Sequence, residues 1–251
     1  PESSRIKLLG IGKCAVKESF NQGAITNRNK LIDQLEAAVN EAEIMADKKI
    51  NSAFMSLTGN HIRCMNTQGA IALNRNPGNG AIQNNSITQR DINRVLELTQ
   101  GIALPPDRDI LHTIPQEFIV DTLKKIDNPI GLSGRRLEGH VHLVTAATTA
   151  MKNLVESAEE IGININGLVF KPLAAAMSTL TKDEIKLGVS LIDIGSTTTG
   201  IAIFKDGAVR HSAVIPIGSV SITNDIAVML RISVEEAEEI KIKYASAKAS
   251  L

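Results

Sequence analysis

A short turn of glycine, serine and threonine follows an aspartate at the end of an apolar run. The aspartate is Asp193, and the turn is the stretch 195–199 with the sequence GSTTT. Such a turn presents backbone N–H groups and hydroxyl groups at one point, and phosphate groups bind in concavities of this kind. Asp193 is placed to hold a hydrated Mg²⁺, because Mg²⁺ keeps several waters and needs few carboxylates. A turn of this composition is more often a simple loop, and a phosphate site is the alternative that its chemistry allows.

Two predicted strands hold this turn in place. The run 189–194 is apolar and β-branched, residues 201–204 resume the strand pattern, and Asp206-Gly207 is a strong signal for a two-residue hairpin. Elsewhere, predicted strands and helices alternate, which favours an α/β fold with at least one parallel sheet. The other predicted strands are 5–16, 53–57, 58–73, 109–120, 136–145 and 167–170, and the predicted helices are 29–48, 88–104, 149–161, 173–180, 221–230 and 233–244.

The charge balance and the aromatic content argue against nucleic-acid binding. The 251 residues carry 27 Lys and Arg against 27 Asp and Glu, so no net field attracts the chain to nucleic acid or to an acidic membrane. With five Phe, one Tyr and no Trp, the chain also lacks the aromatic platforms on which single-stranded bases stack. Its core must be built from aliphatic residues, which suits a parallel sheet covered by helices.

The cysteines and histidines give no metal or disulfide framework. Cys14 and Cys64 have no CxxC spacing, so we expect reduced, buried thiols. His140 and His142 lie on one face of a predicted strand, a geometry that suits zinc, but no third ligand is nearby and a structural role is favoured. No run approaches eighteen apolar residues and no signal peptide opens the chain, so we expect a soluble, cytoplasmic protein.

The stretch 193–202 (DIGSTTTGIA) resembles the second phosphate motif of the actin-like ATPase superfamily. Segments on both sides of it are similar to the FtsA family of bacterial division proteins, and they follow each other in order with few gaps. The upstream segments are not shared with other branches of the superfamily, which makes the resemblance specific. They are 42–50 (AEIMADKKI), 58–63 (TGNHIR), 111–121 (LHTIPQEFIVD), 128–138 (NPIGLSGRRLE) and 141–146 (VHLVTA), with 210–227 (RHSAVIPIGSVSITNDIA) and 237–241 (AEEIK) downstream.

The resemblance implies the α/β actin-like ATPase fold, which is ribonuclease H-like and has two domains, with a small inserted α+β subdomain of the 1C type. By this resemblance, residues 1–57 and 144–187 form the first domain, residues 58–143 the inserted subdomain, and residues 188–251 the start of the second domain (2A/2B). The chain begins after the family's first phosphate hairpin. It ends before the family's late adenosine-binding segment, FtsZ-binding surface and C-terminal membrane helix. We therefore expect part of a longer protein.

The resemblance also implies ATP and Mg²⁺ as ligands. It places Glu238 and Lys241 near the adenosine, whereas their i, i+3 spacing alone predicts a surface ion pair on a helix. Asp193 would hold the Mg²⁺ through water. We predict no catalytic residue. The predicted nucleotide-binding residues are Asp193, Gly195, Ser196, Thr197, Thr198, Thr199, Glu238 and Lys241.

Four positions depart from the family's usual pattern. Ser196 and Thr197 replace glycines, which predicts strain where the turn needs φ > 0 and hinders the approach of the backbone to a phosphate. Gly200 replaces an acid. Lys171 stands where relatives that hydrolyse ATP well often hold a glutamate, and a cation cannot act as that base. Lys171 also fits a solvated residue at the end of a strand. The departures predict weak nucleotide affinity and, at most, slow hydrolysis.

The function that the resemblance implies is a cell-division scaffold at the cytoplasmic face of the membrane. Such a protein is an ATP-binding actin homologue that self-associates into filaments, anchors FtsZ to the membrane and recruits later division proteins. Two alternatives remain open. One is an active ATPase or chaperone-type enzyme on the same fold, which substrate-dependent phosphate release would identify. The other is an adaptor that has lost nucleotide binding.

The inserted subdomain carries a prediction of its own. Thr88 begins its helix, with Asp91 three residues later in the position of a capping-box acid, and residues 74–85 (NRNPGNGAIQNN) form a polar loop. The strands carry more apolar residues than a three-stranded sheet with one helix buries on one side. We therefore expect part of the subdomain to be a surface for self-association and for recruiting later division proteins. The apolar residues in question are Ile62, Met65, Ile71, Leu73, Ile114 and Phe118.

Overall fold

Eleven strands and seven helices form the part of the chain that the computed structural model describes, residues 7–16, 19–73 and 86–248. The predicted loop 74–85 lies outside these residues. The strands are β1 (Phe20–Asn21), β2 (Ala24–Ile25), β3 (Ser52–Leu57), β4 (Arg63–Ala72), β5 (Arg108–Val120), β6 (Leu123–Ile126), β7 (Arg136–Ala147), β8 (Asn164–Phe170), β9 (Val189–Ile194), β10 (Thr199–Lys205) and β11 (Ala208–Ile215). The helices are α1 (Arg28–Ala46), α2 (Gln89–Gln100), α3 (Thr148–Glu160), α4 (Lys171–Thr179), α5 (Lys182–Leu187), α6 (Ser219–Leu230) and α7 (Val234–Tyr244).

The last three strands form an antiparallel sheet in the order β11–β10–β9. The hairpin between β10 and β11 turns at Asp206 and Gly207, whose φ values are 54° and 82°. Two positive φ values are typical of the tight turn whose twist matches that of the flanking strands. Thr199 of β10 pairs with Ile194 of β9, so residues 195–198 form the turn at the other end of this sheet. The predicted strand–turn–strand–hairpin is confirmed.

A parallel pair of strands, β3 and β8, confirms the predicted parallel pairing. Leu57 pairs with Phe170 at the carboxyl ends of these strands, and both side chains are buried. Because the two strands run the same way, the residues that follow them, Thr58 and Lys171, leave the sheet at one edge. Ligand sites of α/β proteins lie at such edges.

The prediction of a strand over residues 5–16 is wrong for the described part, residues 7–16, which form no regular element. This segment lies against α1. The Lys13 N–H donates to Glu41 Oε2 at 2.7 Å. A Cβ added to Gly12 would lie 1.7 Å from the Ala38 carbonyl oxygen, so only glycine permits this close approach. The segment has the apolar residues expected of a strand. In a sheet its backbone N–H groups would pair with a neighbouring strand, but here they contact side chains of α1.

The inserted subdomain is a four-stranded antiparallel sheet in the order β4–β7–β5–β6, with α2 packed on one face. The sequence pattern does not predict β6, which extends the sheet beyond three strands. Helix α2 begins as predicted, because the Thr88 N–H donates to Asp91 Oδ2 at 2.9 Å. It ends at Gln100, ahead of the predicted stop at Pro105-Pro106.

Both faces of this sheet are covered, which corrects the prediction of surplus apolar surface. One face packs on α2 around Val95 and Leu137, and Val144 and Ala146 pack with Phe170 in a second cluster. The predicted surplus of apolar residues is therefore wrong, because this sheet buries side chains on two faces and not on one. Of the six residues, Ile62, Ile71, Leu73 and Phe118 are buried, Ile114 is half-buried and Met65 is 41% exposed.

A buried histidine joins the inserted sheet to β11. The ring of His142 contacts Asn66 Oδ1 and Ser212 Oγ, each at 2.7 Å. The Asn66 amide nitrogen donates to the Arg210 carbonyl, so its oxygen must accept from His142 Nδ1, and Nε2 accepts from the Ser212 hydroxyl. Burial lowers the pKa of His142 to about 4, and His211 acts in the same direction. His142 is a neutral structural residue, and the described residues contain no group of three metal ligands.

Three smaller features complete the fold. The pattern does not predict α5, which begins at a capping box of Thr181 and Glu184. Cys64 is half-buried and Cys14 is exposed, so the expectation of a buried thiol is wrong for Cys14. Among the helices of the described ranges, none has the length and the apolar composition of a membrane span.

Candidate functional site

A cleft of about 410 Å³ opens at the edge where β3 and β8 end. One wall comes from the β1–β2 hairpin, the end of β3 and the start of α3. The opposite wall comes from the start of α4 and from the turn after β9. The cleft thus brings the predicted phosphate turn together with residues more than 100 positions earlier in the chain. The lining residues are Val16, Phe20, Gly23, Ile25, Ser56, Leu57, Thr58, His61, Ala150, Leu154, Lys171, Gly195, Ser196, Thr197 and Thr198.

The first residues of α6 hold the 195–198 turn in place through backbone hydrogen bonds. The N–H of Ser219 donates to the Gly195 carbonyl and the N–H of Val220 to the Ser196 carbonyl, both at 2.9 Å. These bonds satisfy two N–H groups that the start of a helix leaves unpaired. Within the turn, the Gly195 N–H donates to the Thr198 carbonyl, and a Cβ on Gly195 would lie 2.9 Å from that oxygen. The glycine is therefore required by space.

The predicted strain in this turn is wrong. Gly195, Ser196 and Thr197 are all absent from the residues with positive φ. The side chains of Ser196 and Thr197 therefore carry no left-handed backbone penalty. The turn closes through hydrogen bonds to α6 instead of through a left-handed conformation. Thr199 differs from its neighbours, because its hydroxyl donates to the Ile217 carbonyl at 2.8 Å and it does not line the cleft.

Lys171 forms an ion pair with Asp193. Its Nζ lies 3.1 Å from Oδ1 and 3.0 Å from Oδ2 of the carboxylate. The Asp193 side chain is 20% exposed and the Lys171 side chain 41% exposed. The same ammonium would lie 3.8 Å from a Cβ built on Gly195, so it stands directly over the turn. Lys171 is thus a residue of the candidate site, and it also lies at a strand end with a partly solvated side chain, as the alternative predicted.

The Gly200 position has no room for an acid. A Cβ there would lie 2.5 Å from Pro172 Cγ, and Gly200 is buried. The proline follows Lys171 directly, so its ring on Gly200 fixes the start of α4 against β10. The glycine at this position is a packing feature that helps to place Lys171.

Glu238 and Lys241 lie between α7 and α6, apart from the cleft lining. Lys241 Nζ contacts Glu238 Oε2 at 2.6 Å and Thr223 Oγ1 at 2.9 Å. Hydrogen bonds from Lys241 and Thr223 lower the pKa of Glu238. Lys241 also donates to the Ser219 carbonyl at 3.3 Å, so this network supports the helix that holds the turn. Their role toward the adenosine stays a prediction.

Two histidines border the site without a sequence signal that singles them out. His61 lines the cleft, burial lowers its pKa, and its Nδ1 is buried with no partner among the described residues. His112 Nε2 accepts from the Phe170 N–H at 3.0 Å, immediately before Lys171, and burial lowers the pKa of this ring as well. Each is an isolated histidine in the sequence. His112 reaches the Phe170 amide because β5 lies against β8 in the folded chain, although the two strands belong to different sheets.

The residues of the cleft fit the phosphates of a nucleotide better than they fit a magnesium ion. Hydroxyl-bearing residues 196–198 and the ammonium of Lys171 face one space, and these are phosphate-binding groups. None of the described residues that line the cleft is a carboxylate. Both oxygens of Asp193 lie within 3.1 Å of the Lys171 ammonium, so an Mg²⁺ held through water at this carboxylate would stand beside a positive charge that disfavours it.

The fold and this cleft define the class. The structure superposes on PilM of a PilM–PilN type IV pilus biogenesis complex with a TM-score of 0.67 at 14% identity, covering 92% of this chain and 61% of that chain. The chain has the actin-like ATPase fold, as predicted. Two family models match it, "SHS2 domain inserted in FTSA" over residues 59–145 and "Cell division protein FtsA" over residues 190–251. The chain belongs to the FtsA family.

Curated relatives agree with this assignment over nearly the whole chain. The protein is 40% identical over 247 residues to cell division protein FtsA of Pseudomonas aeruginosa, covering 98% of this chain and 57% of that protein. It is 34% identical over 246 residues to FtsA of Escherichia coli strain K12, covering 98% of this chain and 56% of that protein. The chain thus spans somewhat more than half the length of these relatives. It is a homologue of cell division protein FtsA with the actin-like fold, so the predicted membership of the FtsA family is confirmed.

Proposed function

We propose that this chain binds ATP in the cleft and serves, within a division scaffold, to link FtsZ to the cytoplasmic membrane. The observation that carries the nucleotide site is the turn at residues 195–198, which faces the cleft and is fixed from behind by α6. A rigid turn loses little conformational freedom when a phosphate binds. In this proposal the residues of the turn contact the phosphates. Three other predicted nucleotide-binding residues, Thr199, Glu238 and Lys241, have supporting positions.

Nucleotide acts in this proposal as a conformational ligand, with slow turnover at most. A general base for water would have to stand in the cleft, and no carboxylate lines its described part. A nucleotide that contacts both walls of the cleft binds more tightly when the walls are close together than when they are apart. It therefore favours this closed state of the cleft. A phosphate-release assay tests this point. Turnover faster than about one per second would contradict it.

The nucleotide site is tested by one pair of variants at Thr197, which is half-buried and lines the cleft. Thr197→Glu places a negative charge beside the phosphates, and Thr197→Gln is the neutral control of nearly equal size. A fluorescent, non-hydrolysable ATP analogue should bind the Glu variant at least about tenfold more weakly than the Gln variant. Equal affinities would place the nucleotide elsewhere.

The alternative functions are separated by the same measurements. If the protein is an ATP-dependent enzyme, phosphate release should rise when a substrate is added. If it is an adaptor that has lost nucleotide binding, the ATP analogue should not bind. Restoring the family's glycines by Ser196→Gly with Thr197→Gly tests the adaptor, which gains binding only in that double variant. Gly200→Asp is unsuited to this test, because the Pro172 ring occupies the space.

We also propose that the inserted subdomain takes part in self-association and in recruiting later division proteins. Exposed apolar side chains support this proposal, among them Met65 at 41% and Leu123 at 63% exposure. Leu123→Glu should block co-assembly with FtsZ on lipid vesicles while leaving analogue binding unchanged, and Lys124→Glu on the same strand is the control. Variants that still assemble and still support division would make the subdomain purely structural.

A further inference from the structure

The start of α4 is held in place on two sides, so Lys171 is a positioned cation. The Phe170 N–H, one residue earlier, donates to His112 Nε2 at 3.0 Å. Pro172, one residue later, packs its ring on Gly200 so closely that a Cβ there would lie 2.5 Å from Cγ. The Lys171 side chain therefore starts from a fixed backbone and reaches Asp193 at 3.0 Å.

The ammonium of Lys171 stands between the carboxylate and the phosphate turn. A lysine ammonium has three N–H donors. Two oxygens of Asp193 lie at 3.0 and 3.1 Å, and the Gly195 Cβ position lies 3.8 Å away on the side of the turn. The remaining donor and the net charge are available to a phosphate oxygen in the cleft, and Lys171 is among the lining residues.

A divalent ion held by Asp193 would share the carboxylate with the Lys171 ammonium and would be repelled by its charge. Mg²⁺ in nucleotide sites is held through one or two carboxylates together with the phosphates. Among the described residues, no carboxylate lines the cleft and no group of three metal ligands forms. Asp193 is already compensated by Lys171, so an added ion would bring two positive charges to one carboxylate.

We propose that Lys171 supplies the positive charge that phosphates at this turn would otherwise receive from Mg²⁺. Nucleotide binding in the cleft then does not require a divalent cation. This proposal rests on the nucleotide site proposed above and identifies the Lys171 ammonium as the cation that contacts the phosphates there. Asp193 positions the lysine and does not hold a metal.

The test measures the affinity of a fluorescent, non-hydrolysable ATP analogue for the protein at its full natural length, in excess EDTA and in excess MgCl₂. The two dissociation constants of the wild type should agree within about threefold. Lys171→Met keeps the length of the side chain and removes its charge. Its affinity in EDTA should fall about 10- to 100-fold, the loss expected for a hydrogen bond to a charged group, with partial recovery in MgCl₂.

Two further variants make the result specific. Asp193→Asn should retain binding in EDTA, because the lysine remains beside the phosphates, and MgCl₂ should add nothing. If Asp193 holds Mg²⁺, the same variant loses its binding in MgCl₂. Lys152→Met removes a lysine that is 71% exposed and paired with Glu156 on α3, and it should change neither constant. Thermal melting confirms that each variant is folded.

The outcomes separate this inference from the proposed function. Wild-type binding that requires MgCl₂, with Lys171→Met behaving like the wild type, overturns the role of Lys171 and leaves the nucleotide site standing. Absence of binding in both buffers overturns the nucleotide site itself, and the role of Lys171 with it. If Lys171→Met fails to fold, the Asp193→Asn variant decides. Loss of its binding in MgCl₂ would contradict the role of Lys171 and leave the nucleotide site standing.

Discussion

Acid should loosen the contact between the inserted sheet and β11, because that contact depends on a neutral histidine. His142 is fully buried, and its pKa is lowered from 6.5 to about 4. Its ring contacts Asn66 and Ser212, neither of which is a carboxylate that could compensate a charge. Between pH 6.5 and pH 4 the unfolded chain binds a proton that the folded chain does not bind. Folding stability therefore falls as the pH falls through this window.

The magnitude follows from the two pKa values. With 6.5 for the unfolded chain and about 4 for the folded chain, moving from pH 7 to pH 5 costs about 2 kcal/mol of folding free energy. The full difference, reached below pH 4, is about 3 kcal/mol. His61 and His112, whose pKa values burial also lowers, act in the same direction.

Urea unfolding at pH 7 and at pH 5 measures this effect in the wild type and in His142→Gln. The variant keeps a polar side chain and cannot be protonated, so its loss between the two pH values should be smaller by about 2 kcal/mol. The control is His140→Gln, two residues away on β7, where the ring is 27% exposed and lies between Glu117 and Glu138. It should retain the acid loss caused by His142. If His142→Gln loses as much stability as the wild type, the buried neutral ring is not the cause.

Three further predictions concern the supports of the cleft and of the inserted sheet. Gly200→Ala should cost about 1–3 kcal/mol in urea unfolding, because its Cβ would overlap Pro172 Cγ, and Pro172→Ala should restore part of the loss; an unchanged midpoint would refute the overlap. His112→Ala should cost about 1–3 kcal/mol and speed hydrogen exchange at the Phe170 amide, which loses its acceptor; unchanged exchange there would show that another group accepts. Thr88→Ala should cost about 1 kcal/mol without weakening analogue binding, and weaker binding would show that α2 influences the cleft.

The local elements of the stretch 189–215 follow directly from the sequence. The run from Val189 to Ile215 gives its strands, its Gly-Ser-Thr turn and its Asp206-Gly207 hairpin through signals that act within a few residues. The start of α2 at Thr88 is equally local, because Asp91 caps it from three positions away. Such signals need no knowledge of the rest of the chain.

Features that depend on distant partners do not follow from the sequence. Lys171 meets Asp193 across 22 positions, and His142 meets Ser212 across 70. Composition and spacing carry no trace of either contact. The segment 7–16 shows the opposite error, since its apolar pattern suits a strand but no strand lies beside it. Its apolar side chains are also largely exposed, among them Leu8 at 71%, so the pattern alone establishes neither a partner strand nor burial.

Strand β5 is a mechanical connection as well as a part of a sheet. At its start, Arg108 Nη2 donates to the His61 carbonyl at the rim of the cleft at 2.8 Å. Further along, His112 accepts from Phe170 and Gln116 Nε2 donates to the Val209 carbonyl at 2.6 Å. At about 3.3 Å per residue, its thirteen residues reach roughly 40 Å without an intervening loop. A displacement of the inserted sheet along β5 would therefore be transmitted through the His112 ring to Phe170, the residue before Lys171 and the start of α4.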